Sequence, residues 1–155
     1  MEIITYQDKY KEAVRALIIE IKEKEFGHRS KSGMPDLSNI KKVYQKTGRG
    51  NFWIASEKGK PVGTVGLYEV SPNVGYFVRF YVDKNYRRKG IGSKLFFTLT
   101  EFAKKNNYRK LFLTTSSDQE AANKFYIKMG FTRVYSAPKG LPHTPTDDTF
   151  YEIYF

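Results

Sequence analysis

The most constraining feature of this chain is a change of period in its middle. Residues 76–82 read as a strand rich in aromatic and β-branched residues, whereas Ile91, Leu95, Leu99 and Phe102 recur at helical spacing. Between them lies Arg87-Arg88-Lys89-Gly90-Ile91-Gly92. A strand, a glycine-bearing turn and a helix make a geometry that receives phosphate. The first helical turn leaves backbone N–H groups unpaired, the helix dipole adds positive potential, and glycine lets an oxygen approach the backbone. Arg87, Arg88 and Lys89 place cations at the same spot, suited to a pyrophosphate or ribose phosphate.

The rest of the chain sets this turn in an alternation of strands and helices. Residues 1–6 read as a short strand. Asp8 is placed to cap a helix with Val14, Leu17, Ile18 and Ile21 on one face, stopped by Gly27. A second helix is expected over 36–45, carrying Leu37, Ile40 and Val43 or Tyr44. Strands at 52–55 and 62–70 flank the turn 57–61 as a hairpin, and Ser71-Pro72-Asn73 leads to the strand at 76–82. A buried strand follows at 111–115. Ser117 and Glu120 have the spacing of a capping box for a helix with Ala122, Phe125, Tyr126 and Met129, ended by Gly130. Strands at 131–135 and 149–155 complete the order. The expectation is a single α/β (α+β) domain over 1–155, a mixed central sheet flanked by about four helices. At 155 residues the chain has the size of one domain able to bury its own core.

Composition narrows the chemistry. Cysteine is absent, which removes disulfides and thiolate nucleophiles, and two separate histidines, His28 and His143, do not make a zinc site; no metal is expected. The start, Met1-Glu2-Ile3-Ile4-Thr5, lacks the shape of a signal peptide, and no apolar run spans a bilayer. A soluble, cytoplasmic protein without a membrane partner is the expectation. A net charge of +11 draws anions, either a phosphorylated ligand or nucleic acid. Two nucleotide motifs fail on their own residues. Gly92 is followed by Ser93 and not by the Lys-Ser/Thr of a P-loop, and Leu95 stands where a dinucleotide-binding turn needs its third glycine.

Val78-Arg79-Phe80-Tyr81-Val82 followed by Tyr86-Arg87-Arg88-Lys89-Gly90-Ile91-Gly92 resembles the acyl-CoA-binding motif of the GNAT N-acetyltransferase superfamily. Ala122-Asn123-Lys124-Phe125-Tyr126, running on to Gly130-Phe131, is similar to that family's Asn-x-x-Tyr helix ending in Gly-Phe. The two segments come in the family's order, within residues 62–134. The resemblance implies an N-acetyltransferase that uses acetyl-CoA as co-substrate and transfers its acetyl group to a primary amine, on a small molecule or a peptide, by direct attack on the thioester. It also implies that the backbone of Phe80, Tyr81 and Val82 pairs with the pantetheine arm. Arg87 and the N–H groups of Arg88, Lys89, Gly90, Ile91, Gly92 and Ser93 would hold the pyrophosphate. Asn123 and Tyr126 would lie on one helix face, with Tyr126 protonating the departing thiolate; a phenol pKa of ~10 suits that task.

The family pattern breaks at the base. Many members place a glutamate six residues before the strand's final valine, and here Tyr76 stands there. Glu69, on the same strand face as Val65 and Leu67, and Glu25, on the apolar stripe of the first helix, are the replacements considered. His143, Asp147, Asp148 or a water relay are further candidates. The acceptor amine is not legible, although residues 141–145 are placed to shape its pocket. The alternative function is a non-catalytic CoA/anion- or nucleic-acid-binding module. Nucleic acid is disfavoured because the aromatics fall largely at core-periodic positions. Whether the chain pairs as a homodimer stays open.

Overall fold

The computed structural model describes residues 1–27, 34–138, 141 and 147–155. His28, Gly33, His143 and residues 142–145 of the late loop lie outside the described residues, as does the side chain of Glu25. The elements run β1 (Glu2–Thr5), α1 (Lys11–Phe26), β2 (Asn51–Glu57), β3 (Lys60–Ser71), β4 (Val74–Val82), α2 (Ile91–Lys105), β5 (Lys110–Thr115), α3 (Glu120–Lys128), β6 (Thr132–Val134) and β7 (Thr149–Tyr154). They build one seven-stranded sheet in the order β1-β2-β3-β4-β5-β7-β6, antiparallel except for the β4–β5 pair.

Local chemistry explains most boundaries. The β2–β3 hairpin turns on Lys58 and Gly59, both at positive φ, which matches the twist of the flanking strands. Val14, Ile18 and Ile21 of α1 are buried, and Gly27 closes that helix in the left-handed conformation at φ 64°. On α2, Ile91, Leu95, Leu99 and Ala103 form the buried stripe, and Phe102 meets Trp53 edge-on at 5.2 Å. The sheet is covered on both faces: α2 and α3 pack on one side, α1 and the segment after it on the other.

Two sequence expectations are corrected. The helix expected over 36–45 is two short pieces, a 3-10 turn at Pro35–Ser38 and a π-helical turn at Lys41–Gln45. Asn39, at φ −151°, separates them, and its side-chain oxygen accepts from the Lys42 N–H. Ser117 does not cap α3. Its N–H and hydroxyl both donate to the Asp148 carboxylate, at 2.8 Å each, and the helix starts instead at Glu120 after Gln119.

Candidate active site

Strands β4 and β5 pair over only three positions, Val74 with Lys110, Gly75 with Leu111 and Tyr76 with Phe112. Beyond Tyr76 they have no ladder between them, so the C-terminal half of β4 offers one edge to a cleft. A backbone edge without a partner strand can accept an extended amide chain as a further strand. Just past that point β4 bulges. Between the pairs Gly66–Val78 and Thr64–Tyr81 it uses one residue more than β3, and Arg79 sits at φ 53°. Thr64 Oγ1 donates to the Arg79 carbonyl at 2.8 Å, which fixes the bulge. As a result Val78 packs with the α1 side and Phe80 with the α2 side.

At the open end of β4 the chain enters the basic turn. Asp83 accepts from the Asn85 N–H at 2.9 Å, and Arg87 Nε donates to the Val82 carbonyl at 2.9 Å, so one of the three cations also braces the turn. Arg88 has φ 62° and Gly90 has φ 79° immediately before α2. The first helical bond runs from the Lys94 N–H to the Gly90 carbonyl, which leaves the N–H groups of Ile91, Gly92 and Ser93 aimed out of the helix start. No side chain caps them and no acidic residue lies in the first turn. A Cβ on Gly92 would come within 3.1 Å of the Phe80 ring. Glycine therefore lets α2 start directly against the strand. This donor set, with exposed Arg88 and Lys89 beside it, fits a pyrophosphate.

Tyr126 reaches the cleft from α3. It is buried among Phe77, Phe80, Phe125, Phe131 and Tyr151, with ring centroids 5.7–6.1 Å away. Its hydroxyl has no hydrogen-bond partner among the described residues. Burial, and then the fields of Tyr81 and Tyr151, push its phenol well above the ordinary value, so it keeps its proton at neutral pH.

The opposite face of β4 is polar. Arg79 grips Asp36 through Nε and one terminal nitrogen at 2.9 and 2.8 Å, and Tyr44 donates to the same carboxylate at 2.7 Å. Burial opposes the charge on Asp36, but Arg79 and Tyr44 hold its carboxyl below the usual range. Tyr76, 5% exposed, shares a 2.9 Å hydrogen bond with Thr114, whose hydroxyl donates to Asp147 at 3.0 Å. Half-buried Lys22 of α1 faces this group. Its ammonium is pushed down by burial and by Arg79, against the opposing pull of Asp147 and Asp36.

The sequence candidates divide accordingly. Phe80, Tyr81, Val82, the turn 87–93 and Tyr126 converge on the splayed end of β4. Glu69 does not. It pairs across from Gly75, at the closed end of the β3–β4 ladder, and is held by Arg49 at 3.0 Å. It shares the strand face of Val65 and Leu67, which lie in the α2-side core, but stands at the strand end away from the splayed part of β4. Asn123 bonds within the protein: its amide nitrogen donates to the Ser116 and Gln119 carbonyls at 3.0 and 2.7 Å, and its oxygen accepts from the Tyr151 hydroxyl at 2.8 Å. With both amide hydrogens used inside the protein, it ties α3 to β7 and to the turn before α3. Sequence reading missed Tyr44, Asp36, Arg79 and Thr114. Of these only Arg79, a charge inside an apolar strand, carried a signal.

A bulged strand beside a parallel neighbour that diverges from it, with an uncapped helix start at the open end, is the arrangement of an acyltransferase fold. The chain belongs to the acetyltransferase (GNAT) family, whose model matches residues 15–131. It is 34% identical over 123 residues, 76% of this chain, to N-acetylaspartate synthetase of Xenopus tropicalis, and spans 45% of that protein's length. The crystal structure of a GNAT-family acetyltransferase from Staphylococcus aureus Mu50 superposes with a TM-score of 0.94 at 32% identity, covering 99% of this chain and 98% of that one. A putative streptothricin acetyltransferase of Bacillus anthracis, crystallised with acetyl coenzyme A, is similar at 28% identity and a TM-score of 0.61, over 72% of this chain and 66% of that one. Among the described residues no helix is long and apolar enough to cross a membrane.

Proposed function

We propose that this chain moves the acetyl group of acetyl-CoA to a primary amine by direct attack on the thioester. The observation that carries the reading is the Tyr126 hydroxyl, buried and without a partner among the described residues, at a cleft whose other end is the uncapped start of α2. Acetyl-CoA supplies an acyl group already activated on a thiol leaving group. The N–H groups of the turn, with Arg88 and Lys89, hold the pyrophosphate. The free edge at Phe80, Tyr81 and Val82 lines up the pantetheine arm. Positioning the two reactants together lowers the barrier, and Tyr126 gives its proton to the sulfur as negative charge builds there. A phenol carries its proton at neutral pH, and burial tightens its hold on it.

The acceptor enters from the Arg79 side of β4, where Lys22 offers a cation to an amine that also carries a carboxylate. The name of the frog relative makes L-aspartate the first amine to try. The test has two parts. Calorimetry with acetyl-CoA reads coenzyme binding, and thiol release reads transfer to L-aspartate, spermidine and a peptide beginning with alanine. Heat of binding together with amine-dependent thiol release is expected. Binding without release to any amine would make the chain a coenzyme- or anion-binding module, and absence of binding would remove the reading altogether.

A further inference from the structure

A family member without the usual glutamate must dispose of the acceptor's proton in another way. As the amine nitrogen bonds to the carbonyl carbon it becomes cationic, and an amide cannot keep that extra proton. The residue standing at the glutamate position is Tyr76. Its ring lies on the α1 side of β4, packed with Phe112 and Leu141, at the last rung before β4 and β5 diverge. Its hydroxyl meets Thr114, two residues further along β5, and so reaches into the cleft.

Proton directions in this chain follow from the groups themselves. The ionised carboxylate of Asp147 can only accept, so Thr114 spends its one hydroxyl hydrogen on Asp147. Tyr76 must then be the donor in the 2.9 Å bond to Thr114. Both hydroxyls therefore point their hydrogens toward Asp147, and Tyr76 stands at the receiving end of the chain.

We infer that Asp147, through Thr114 and Tyr76, takes up the proton that the acceptor amine loses as the amide bond forms. The inference rests on the acetyl-transfer reading above. The nitrogen lone pair bonds to the acetyl carbon and the carbon–sulfur bond breaks. The sulfur takes the Tyr126 proton and leaves as thiol. One N–H proton passes to Tyr76 Oη, the Tyr76 proton passes to Thr114 Oγ1, and the Thr114 proton passes to Asp147 Oδ2. Water then removes the proton from Asp147, and Tyr126 regains one from solvent. Tyr76 is the catalytic residue of the set, and Thr114 and Asp147 act through it.

The groups facing the relay are assigned elsewhere or help it. Asp36 is taken by Arg79 and Tyr44. Lys22 from α1 lies within the field of Asp147, and Arg79 from β4 within that of Tyr76. Tyr68 from β3 packs its ring on Tyr76 at 5.1 Å, and Tyr81 from β4 lies within the same field. Asp148 is bound to Ser117 and Thr149.

The test compares Asp147→Asn, Thr114→Val and Tyr76→Phe with the wild type, after confirming unchanged melting and acetyl-CoA binding. On whichever of L-aspartate, spermidine or the alanine peptide the wild type acetylates, each variant is expected to lose about a hundredfold in turnover at neutral pH. The acidic limb of the pH–rate profile should flatten. The second arm is the solvent deuterium isotope effect on turnover, which proton passage through Tyr76 and Thr114 to Asp147 makes large in the wild type and which should shrink in each variant. A loss of turnover with the wild-type isotope effect and pH profile retained would make the chain merely structural, and an unchanged profile in a folded Asp147→Asn variant would overturn the relay. If no panel amine is acetylated, the acceptor reading has failed. The relay is then judged by single-turnover acetyl-CoA hydrolysis, where water is the nucleophile: a loss in Asp147→Asn supports it and an unchanged rate overturns it.

Discussion

The two faces of β4 at the bulge solve opposite problems. On the α2–α3 face Phe77, Phe80, Phe125 and Phe131 surround Tyr126 with rings and offer its hydroxyl no partner among the described residues. On the α1 face two sets of side chains, Asp36 with Arg79 and Tyr44, and Thr114 with Tyr76 and Asp147, are each tied by directed hydrogen bonds. Burial among rings sets the surroundings of one group; mutual partners orient the other set. A group that must release a proton late in a reaction is served by the first arrangement, and a path that must carry a proton by the second.

The contrast can be broken most severely at its charged side. Arg79→Met leaves Asp36 buried without its cation, and the expected loss is about 3–5 kcal/mol of stability in denaturant unfolding. Combining it with Asp36→Leu should recover much of that loss, because the pair is then absent and not half removed. The pH dependence has a definite sign. Asp36 has a folded pKa below its unfolded one, so its contribution is present above the unfolded value of ~3.9 and disappears as pH falls through the lower folded value. The wild type should lose stability over that acid range, and the double variant should lose less. A double variant as unstable as Arg79→Met would mean that packing, not charge, holds this face together.

Tyr126→Phe probes the other face. Turnover should fall tenfold to a thousandfold, or roughly 1.4–4 kcal/mol in the barrier, with acetyl-CoA affinity retained. Stability should stay level or rise slightly, because a buried hydroxyl without a partner costs free energy. Intact turnover on a true acceptor would reduce Tyr126 to packing. The same substitution at Tyr44 should do the reverse. Tyr44→Phe removes a donor to the Asp36 carboxylate, with an expected stability loss of about 1–3 kcal/mol. Equal effects on stability at the two tyrosines would erase the contrast between the faces.

Much of the aromatic face was legible in the sequence, because its residues are local to their motifs. The turn 87–92 announces itself by period change, glycine and charge, and Tyr126 by its place ahead of Gly130-Phe131. The polar face was not legible, because most of its bonds join residues far apart in the chain: Asp36 to Arg79, Tyr76 to Thr114, Thr114 to Asp147. No spacing rule links such residues. Glu69 shows the limit of strand periodicity, which assigns a face but not which end of the strand meets the ligand. The failed capping box at Ser117 has a similar origin, since Asp148 lies thirty-one positions away and supplies a stronger, charged acceptor. Asp36 and Tyr44, read as parts of one helix, are drawn instead to Arg79 across a break at Asn39.

The three rungs between β4 and β5 carry a mechanical consequence. They join strands β1 to β4 to the set β5, β7 and β6, whereas β5 and β7 share six rungs. This short backbone seam thus runs into the cleft where the reaction is proposed to occur. A ligand lying along the free edge of β4 would extend that seam past Tyr76, so that filling the cleft and stiffening the two halves of the sheet against each other become the same event.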